Sequence, residues 1–240
     1  MAVRHQIGVM SAVASAFLVP DNHLGRATVS SVAVAHEVDQ MGGRSIACLN
    51  ARDRNLLGFR RDLMTAAAYG VDEFLLVFGD RPSAGARTGE LTVRSMLEEL
   101  RRYADAGASE GVPALRAGVT TRLAPLPGWK QGADFVFVQA SFDIGALLRW
   151  RASVTVDARV YAGVLVPPSA SRLRKWVTEI PEISVPDSWI AALDRDPTAG
   201  VELACSLVGE IRASGAFDGV HLIPGVRYRQ VAARLETDAP

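Results

Sequence analysis

The feature that most constrains this chain is its alternation. Short apolar runs recur along its length, and most neighbouring pairs are separated by an amphipathic stretch of helical period. Phe74-Leu75-Leu76-Val77-Phe78 and Phe135-Val136-Phe137-Val138 are unbroken. Continuous apolar runs suit strands of a parallel sheet covered on both faces, and parallel strands need crossovers between them.

Seven runs read as strands: 15–19, 45–49, 73–78, 114–119, 134–139, 159–166 and 217–223. Helical period marks 5–14, 27–41, 56–69, 92–106, 143–151, 169–178, 201–213 and 229–235, with Gly42-Gly43 and Gly70 as stops. In the third of these, Leu56, Phe59, Leu63 and Ala67 make the buried stripe. Two segments break the rhythm. Residues 120–132 carry Pro125, Pro127 and Gly128 and are too short for a crossover helix, and 181–198 reads as irregular because of its three prolines.

Strict alternation predicts an α/β fold, a (β/α)8 TIM barrel forming a single domain over residues 1–240, with seven recognisable β-α units. Seven is one short of closure, so residues 15–19 and 217–223 are expected to flank a gap, and an open edge is an association hazard.

Composition narrows the function. Basic and acidic residues balance at 26 each, which argues against bulk electrostatic binding to nucleic acid or an anionic membrane and leaves room for a local cationic pocket. No glycine-rich nucleotide fingerprint and no zinc-type spacing is present, so no metal site is expected. Cys48 and Cys205 read as reduced core thiols. Arg4 and His5 followed by an apolar run to Leu18 mimic a signal peptide. Phe17-Leu18-Val19-Pro20, however, passes into Asp21-Asn22-His23 in the strand-then-loop form used elsewhere. The expectation is a retained strand and a cytoplasmic protein without a membrane span, which takes ~18 apolar residues.

Chemistry in such folds gathers at the C-terminal ends of the strands. Asp80 ends a buried run behind Gly79, and its carboxylate can hold a cationic or N–H-bearing ligand edge; the alternative is a cap. Gln139 ends another run, where a buried amide must find partners, either a ligand or the core. His23 lies in a loop with Asp21 and Asn22 and is either a proton donor near neutral pH or an ordinary loop histidine. Arg227 follows the last run and is either an anchor for an anionic tail or an exposed arginine. Asp53 and Arg54 are expected to pair with one another and brace their loop. Asp143 reads as a helix N-cap, and Glu37, Glu98 and Glu99 as solvated helix faces.

Several of these segments form one pattern. Arg52-Asp53-Arg54-Asn55-Leu56-Leu57-Gly58, Gly70 and Phe78-Gly79-Asp80-Arg81-Pro82 resemble the central block of methylenetetrahydrofolate reductases. The likeness is strongest to the reductase half of bacterial bifunctional homocysteine methyltransferase/reductase proteins. Gly132-Ala133-Asp134-Phe135 with Gln139 and Phe142-Asp143 is similar to that family's Ala-Gly-Ala-Asp-Phe…Thr-Gln…Phe-Asp strand. Ala162-Gly163-Val164, Val185-Pro186 and Gly219-Val220-His221-Leu222-Ile223-Pro224 are similar to its last strand regions. The likeness runs in order over residues 15–235.

The resemblance implies a (β/α)8 barrel that reduces 5,10-methylenetetrahydrofolate to 5-methyltetrahydrofolate, a step of one-carbon metabolism toward methionine. It implies Asp80 near the pterin and the hydride path, Gln139 on the pterin, and Arg227 on the p-aminobenzoyl-glutamate end. The departures carry information too. The family's first-strand glutamate, its general acid, has no counterpart, and the chain comes into register at the family's first helix. Either the sequence starts after that strand, or another acid serves, for which His23 is the candidate. Ala47-Cys48-Leu49-Asn50 stands for the flavin-dependent members' His-Leu-Thr-Cys, Phe78 stands before Gly-Asp, and the flavin-phosphate segment retains only Lys130. The expectation is a flavin-independent, actinobacterial-like variant that takes hydride from NADH or NADPH without FMN. Its ligand would be a tetrahydrofolate derivative. The alternatives are a folate-binding protein with no or altered catalysis and an FMN-dependent reductase.

Overall fold

The computed structural model of this chain describes residues 2–108, 114–179 and 183–237. The elements run α1 (Ala2–Met10), β1 (Phe17–Val19), α2 (Ser31–Gln40), β2 (Ser45–Asn50), α3 (Leu56–Tyr69), β3 (Glu73–Val77), α4 (Val93–Ala108) and β4 (Arg116–Thr121). They continue with β5 (Phe135–Val138), α5 (Ile144–Ser153), β6 (Arg159–Leu165), α6 (Ala170–Glu179), α7 (Asp187–Arg195), α8 (Ala199–Ser214), β7 (Gly219–Ile223) and α9 (Tyr228–Glu236). All seven expected strands are present.

The strands form one parallel sheet in sequence order, β1 through β7, curled as in a TIM barrel. Among the described residues β1 pairs only with β2, and β7 only with β6, so the barrel stays open between them as the count of seven predicts. Alternate strand residues face opposite sides. Ala47, Leu49, Phe74, Leu76, Ala117 and Val119 pack outward against α2, α3 and α4. Val160, Ala162 and Val164 do the same against α5 and α8 in the second half. Ile46, Cys48, Leu75, Phe135 and Phe137 fill the inner side with Leu18, Val77 and Tyr161. Both cysteines are free and buried, as expected.

Gly118 is required inside. A Cβ there would stand 2.0 Å from the Phe135 ring. At the N-terminal strand ends Glu73 is buried and takes ion pairs from Arg44 and Arg116, which ties β2, β3 and β4 together. Asn55 caps α3 by accepting from Gly58 N at 2.8 Å, and Asp143 caps α5 by accepting from Ala146 N at 3.1 Å, the role expected of it. The α3 stripe runs through Phe59, Leu63 and Ala66 rather than Ala67.

The β4–β5 connection has only the short turn Gly128–Gly132, so the proline argument holds there. It fails in the other segment. Residues 180–182 lie outside the described residues, but 187–195 form α7, with Pro186 at its N-cap and Trp189 and Leu193 buried. A proline just ahead of a helix does not interrupt it, because the first helical N–H groups need no intrahelical partner. Glu99 also departs from expectation. It is buried, and the exposed Arg60 and Arg102 pair with it, so that carboxylate meets two guanidinium groups rather than solvent. Glu37 pairs with Arg4 and Glu98 with Arg94 on exposed or half-buried faces. No helix among the described residues is long and apolar enough to cross a membrane.

Candidate functional site at the strand ends

Three strand-end loops lock together at the mouth of the sheet. Asp21, after β1, accepts from the Asn50 backbone N–H at 3.0 Å, from Asn50 Nδ2, and from the Arg54 guanidinium. Arg54 also donates through Nε to Asp62 of α3 at 2.8 Å. Arg52 is only 2% exposed; its guanidinium pairs with Asp53 and donates to the Asp80 carbonyl oxygen. The expected Asp53–Arg54 pair is therefore not what forms. Adjacent side chains leave in different directions at this turn, so Arg52 takes Asp53 while Arg54 reaches Asp21 and Asp62.

Asp53 further accepts from Asn22 Nδ2 at 2.8 Å. The Arg52 guanidinium, against partial burial, holds the Asp53 carboxyl down to about 2. Asp53 is thus a fixed anion and a brace.

The loop after β3 closes onto the other two. Gly79 has φ +95°, and a Cβ there would crowd Asn50 and Arg52. Gly25 has φ +70°, and a Cβ would stand 2.0 Å from the Arg81 carbonyl oxygen. Both the N–H and the hydroxyl of Ser83 donate to the Gly25 carbonyl, at 2.9 and 2.8 Å. Thr88 donates to the Arg52 and Arg54 carbonyls. Leu24 sits at φ 55°, ψ 28°, a left-handed conformation that a bulky residue keeps only when its surroundings impose it. What imposes it here is Asp80, whose Oδ2 accepts the Leu24 N–H at 2.9 Å.

That bond decides where the expected site residues fall. His23, exposed in the same turn as Leu24, is carried to the side of the mouth that holds Asp80, which is also exposed. Gln139 follows β5 and Arg227 follows β7, so both lie at the same strand ends but farther round the sheet. Gln139 is exposed rather than buried, since it comes one residue after the strand ends, and no described residue bonds its side-chain amide. Arg227 is half-buried in the turn Gly225–Arg227. The described residues contain no group of acidic, histidine or cysteine side chains able to hold a metal.

Two inward-facing residues escaped notice in the sequence as candidates, Tyr161 and His221. Tyr161 stacks on Phe137 with ring centroids 5.0 Å apart, and His221 meets Phe137 edge-on at 5.1 Å. Burial pushes the imidazole down to about 4, so it is neutral at physiological pH. Period-two alternation along 217–223 puts residue 221 on the face of residues 219 and 223, and this is the signal that could have found it. Both side chains line a cavity of about 750 Å³ beside β1 and β7.

An open parallel α/β barrel with its polar loops gathered at the C-terminal strand ends defines the class: a TIM-barrel-like protein. The chain belongs to the methylenetetrahydrofolate reductase family, whose model matches residues 5–225. Among solved structures it is similar to a Clostridium thermocellum protein described as binding two copies of 5-methyl-5,6,7,8-tetrahydrofolic acid. That match has a TM-score of 0.65 at 14% identity and covers 99% of this chain and 87% of that one. A class V chitinase from Nicotiana tobaccum matches with a TM-score of 0.54 at 9% identity, covering 96% of this chain and 94% of that one. The EDTA monooxygenase of Chelativorans sp. BNC1 matches with a TM-score of 0.55 at 9% identity, covering 99% and 86%. At such identities these likenesses establish the fold. No curated protein matches the chain by sequence.

The one lysine expected to meet a flavin phosphate is engaged within its own loop. A flavin phosphate needs several charged donors converging on it. Lys130, the one lysine of the expected segment, donates to the Thr120 carbonyl at 2.7 Å and lies 5.4 Å from the Trp129 ring centroid. Burial, together with the nearby Arg122, lowers its pKa. Its ammonium is already committed to its own loop.

Proposed function

We propose that this protein reduces 5,10-methylenetetrahydrofolate to 5-methyltetrahydrofolate with hydride taken directly from NADH or NADPH. Family membership supports the folate substrate class. The observation that carries the site assignment is the Leu24 N–H to Asp80 Oδ2 bond, which brings a fixed carboxylate and the His23 imidazole to one side of the mouth.

The chemistry divides among these groups. N10 of the substrate takes a proton as the five-membered ring opens, leaving a cationic iminium at N5. Hydride then moves from C4 of the nicotinamide to the iminium carbon, giving the 5-methyl group and oxidised nicotinamide. His23 supplies the proton. Asp80 keeps Oδ1 for the pterin and stabilises the cationic iminium. Gln139, with no described protein partner, bonds the pterin edge. Arg227 takes the glutamate carboxylates of the folate tail. Hydride transfer needs the two reacting carbons held in near-attack geometry, and the rigid Arg52–Asp53 and Arg54–Asp21 braces support that. A cytoplasmic setting fits such chemistry.

One observation favours a second reading, a folate-binding protein without this catalysis. Asp21, Asp53 and Asp80 are all engaged by neighbouring donors, which leaves His23 as the acid on this side of the mouth. Oxidation of NADH on addition of methylenetetrahydrofolate, by protein whose visible spectrum lacks a flavin band, supports the reductase. Retained 5-methyltetrahydrofolate binding with no turnover at saturating substrate leaves the binding reading. A stoichiometric flavin band in the purified protein sinks the flavin-free reading.

A further inference from the structure

The polar side chains after β1 and β2 are engaged with one another. Asp21 holds Asn50 and Arg54, and Arg52 holds Asp53. Farther round the mouth, at the ends of β4 and β5, the pattern changes. Thr120 and Gln139 are both exposed there, and no described residue bonds the Thr120 hydroxyl or the Gln139 amide.

Thr120 belongs to the inner face. A Cβ on Gly118, two positions earlier, would meet the ring of Phe135 on the inner side, whereas Ala117 and Val119 pack in the helix-side core. Alternation therefore turns Thr120 inward. Its register partner on β5 is Phe137, another inner residue. The Gln139 N–H donates to the Thr121 carbonyl at 2.8 Å, which extends the β4–β5 ladder past the strand end and puts residue 139 on the face of residue 137. On its other side β4 pairs with β3, which leads through Val77 to Asp80. Neighbouring strands lie about 4.8 Å apart, so Asp80, Thr120 and Gln139 come from three successive strands spanning roughly 10 Å. Lys130 fixes the middle of this arc by donating to the Thr120 carbonyl at 2.7 Å. Val77 and Phe137, on the inner side, give it an apolar floor.

The three side chains differ in what they offer a ligand. A carboxylate only accepts, an amide has one accepting and one donating group, and a hydroxyl does both. The pyrimidinone edge of a pterin needs both kinds of partner: N3–H and the 2-amino group donate, while N1 and the 4-oxo oxygen accept. Asp80 can serve the donors alone. We propose that Thr120 is a substrate-binding residue of this site, its hydroxyl donating to a ring acceptor of the pterin between the contacts of Asp80 and Gln139. This rests on the folate reading of the mouth and adds to it a residue that selects for the pterin edge. A hydroxyl placed to meet a ring acceptor rejects a ring that lacks one, because the polar contact is then left unmade.

Calorimetric titration of the full chain with 5-methyltetrahydrofolate tests the assignment. Thr120→Val keeps the branched shape that suits a strand and removes the hydroxyl. Binding is expected to weaken about tenfold, the loss of one neutral hydrogen bond, with the melting temperature unchanged. Thr120→Ser returns the hydroxyl and should recover most of the affinity, which a purely structural role for the branched side chain would not give. Methyl spectra of the unmutated chain labelled at threonine supply a readout that does not depend on how a variant folds: the folate should shift the Thr120 methyl signal. Affinity of Thr120→Val within about twofold of the original, a loss that serine fails to recover, or an unmoved Thr120 methyl overturns the role of Thr120 and leaves the folate reading in place. No binding of 5-methyltetrahydrofolate by the unmutated chain overturns both.

Discussion

The backbone N–H of Leu24 lies 2.9 Å from Oδ2 of Asp80, joining two strand-end loops that are 56 positions apart in sequence. Leu24 holds a left-handed backbone to make this bond, so the mouth carries strain at the point where the proposed acid and carboxylate meet. Strain of this kind costs about 1–3 kcal/mol and persists where its surroundings over-determine it.

Asp80→Asn keeps an acceptor for Leu24 and removes the charge. Turnover with methylenetetrahydrofolate is expected to fall by about 100-fold or more, as for loss of a group that stabilises developing charge. The urea midpoint should hold. A turnover number within threefold of the original would remove Asp80 from the chemistry.

Gly25→Ala attacks the same loop contact sterically. The added Cβ meets the Arg81 carbonyl and must also adopt φ +70°. A destabilisation of about 2 kcal/mol or more is expected in chemical denaturation. The folate KM should rise with it, because His23 rides on this turn.

Arg54 is 12% exposed at its side chain and pairs with Asp21, which is 4% exposed, and with Asp62. Removing one partner of a buried pair strands the other, so Arg54→Met is expected to cost about 3–5 kcal/mol. Lysine at 54 should recover only part of this, since a single ammonium cannot reproduce the fork that reaches both carboxylates. Equilibrium urea unfolding measures both variants, and a loss below about 1 kcal/mol would show that the brace is dispensable.

His221 gives the fold a pH limb. Burial holds its folded pKa near 4, against an ordinary 6.5 in the unfolded chain. Between those values the unfolded state binds the proton and the folded state does not. Stability is therefore complete above about pH 6.5 and declines as pH falls toward 4, by about 3 kcal/mol in total. His221→Phe should flatten that limb in a series of melts between pH 7 and 4. The depressed Asp53 carboxyl adds a separate loss below about pH 4, as pH falls toward 2.

Gln139 is exposed and bonded by no described residue, so Gln139→Ala should leave the melting temperature unchanged. If the amide holds the pterin edge, KM for methylenetetrahydrofolate rises about tenfold, the value of one good hydrogen bond. Steady-state kinetics on this variant separates a ligand contact from a bystander.

Much of the fold is legible one segment at a time. The apolar run Glu73 to Phe78 announces a covered strand, and Leu56 to Tyr69 announces its helix to the residue. Helix α7 was hidden by prolines because their effect depends on which side of the helix start they occupy. Glu99 was hidden because the arginines that bury it come from another helix as well as its own. Gln139 missed burial by a single position past the end of β5.

The sequence by itself determined the parallel α/β architecture, the seven strands and the seam between the first and last. Hydrophobic period and strand count are properties of neighbours along the chain. Only the tertiary structure decided that Arg52 takes Asp53 while Arg54 takes Asp21 and Asp62, that Leu24 anchors on Asp80, and that His221 faces an open cavity. Those outcomes depend on how three loops and two unpaired strand edges meet in space. Ion pairs and hydrogen bonds act over a few ångströms, and residues far apart in sequence come within that range only once the sheet has curled.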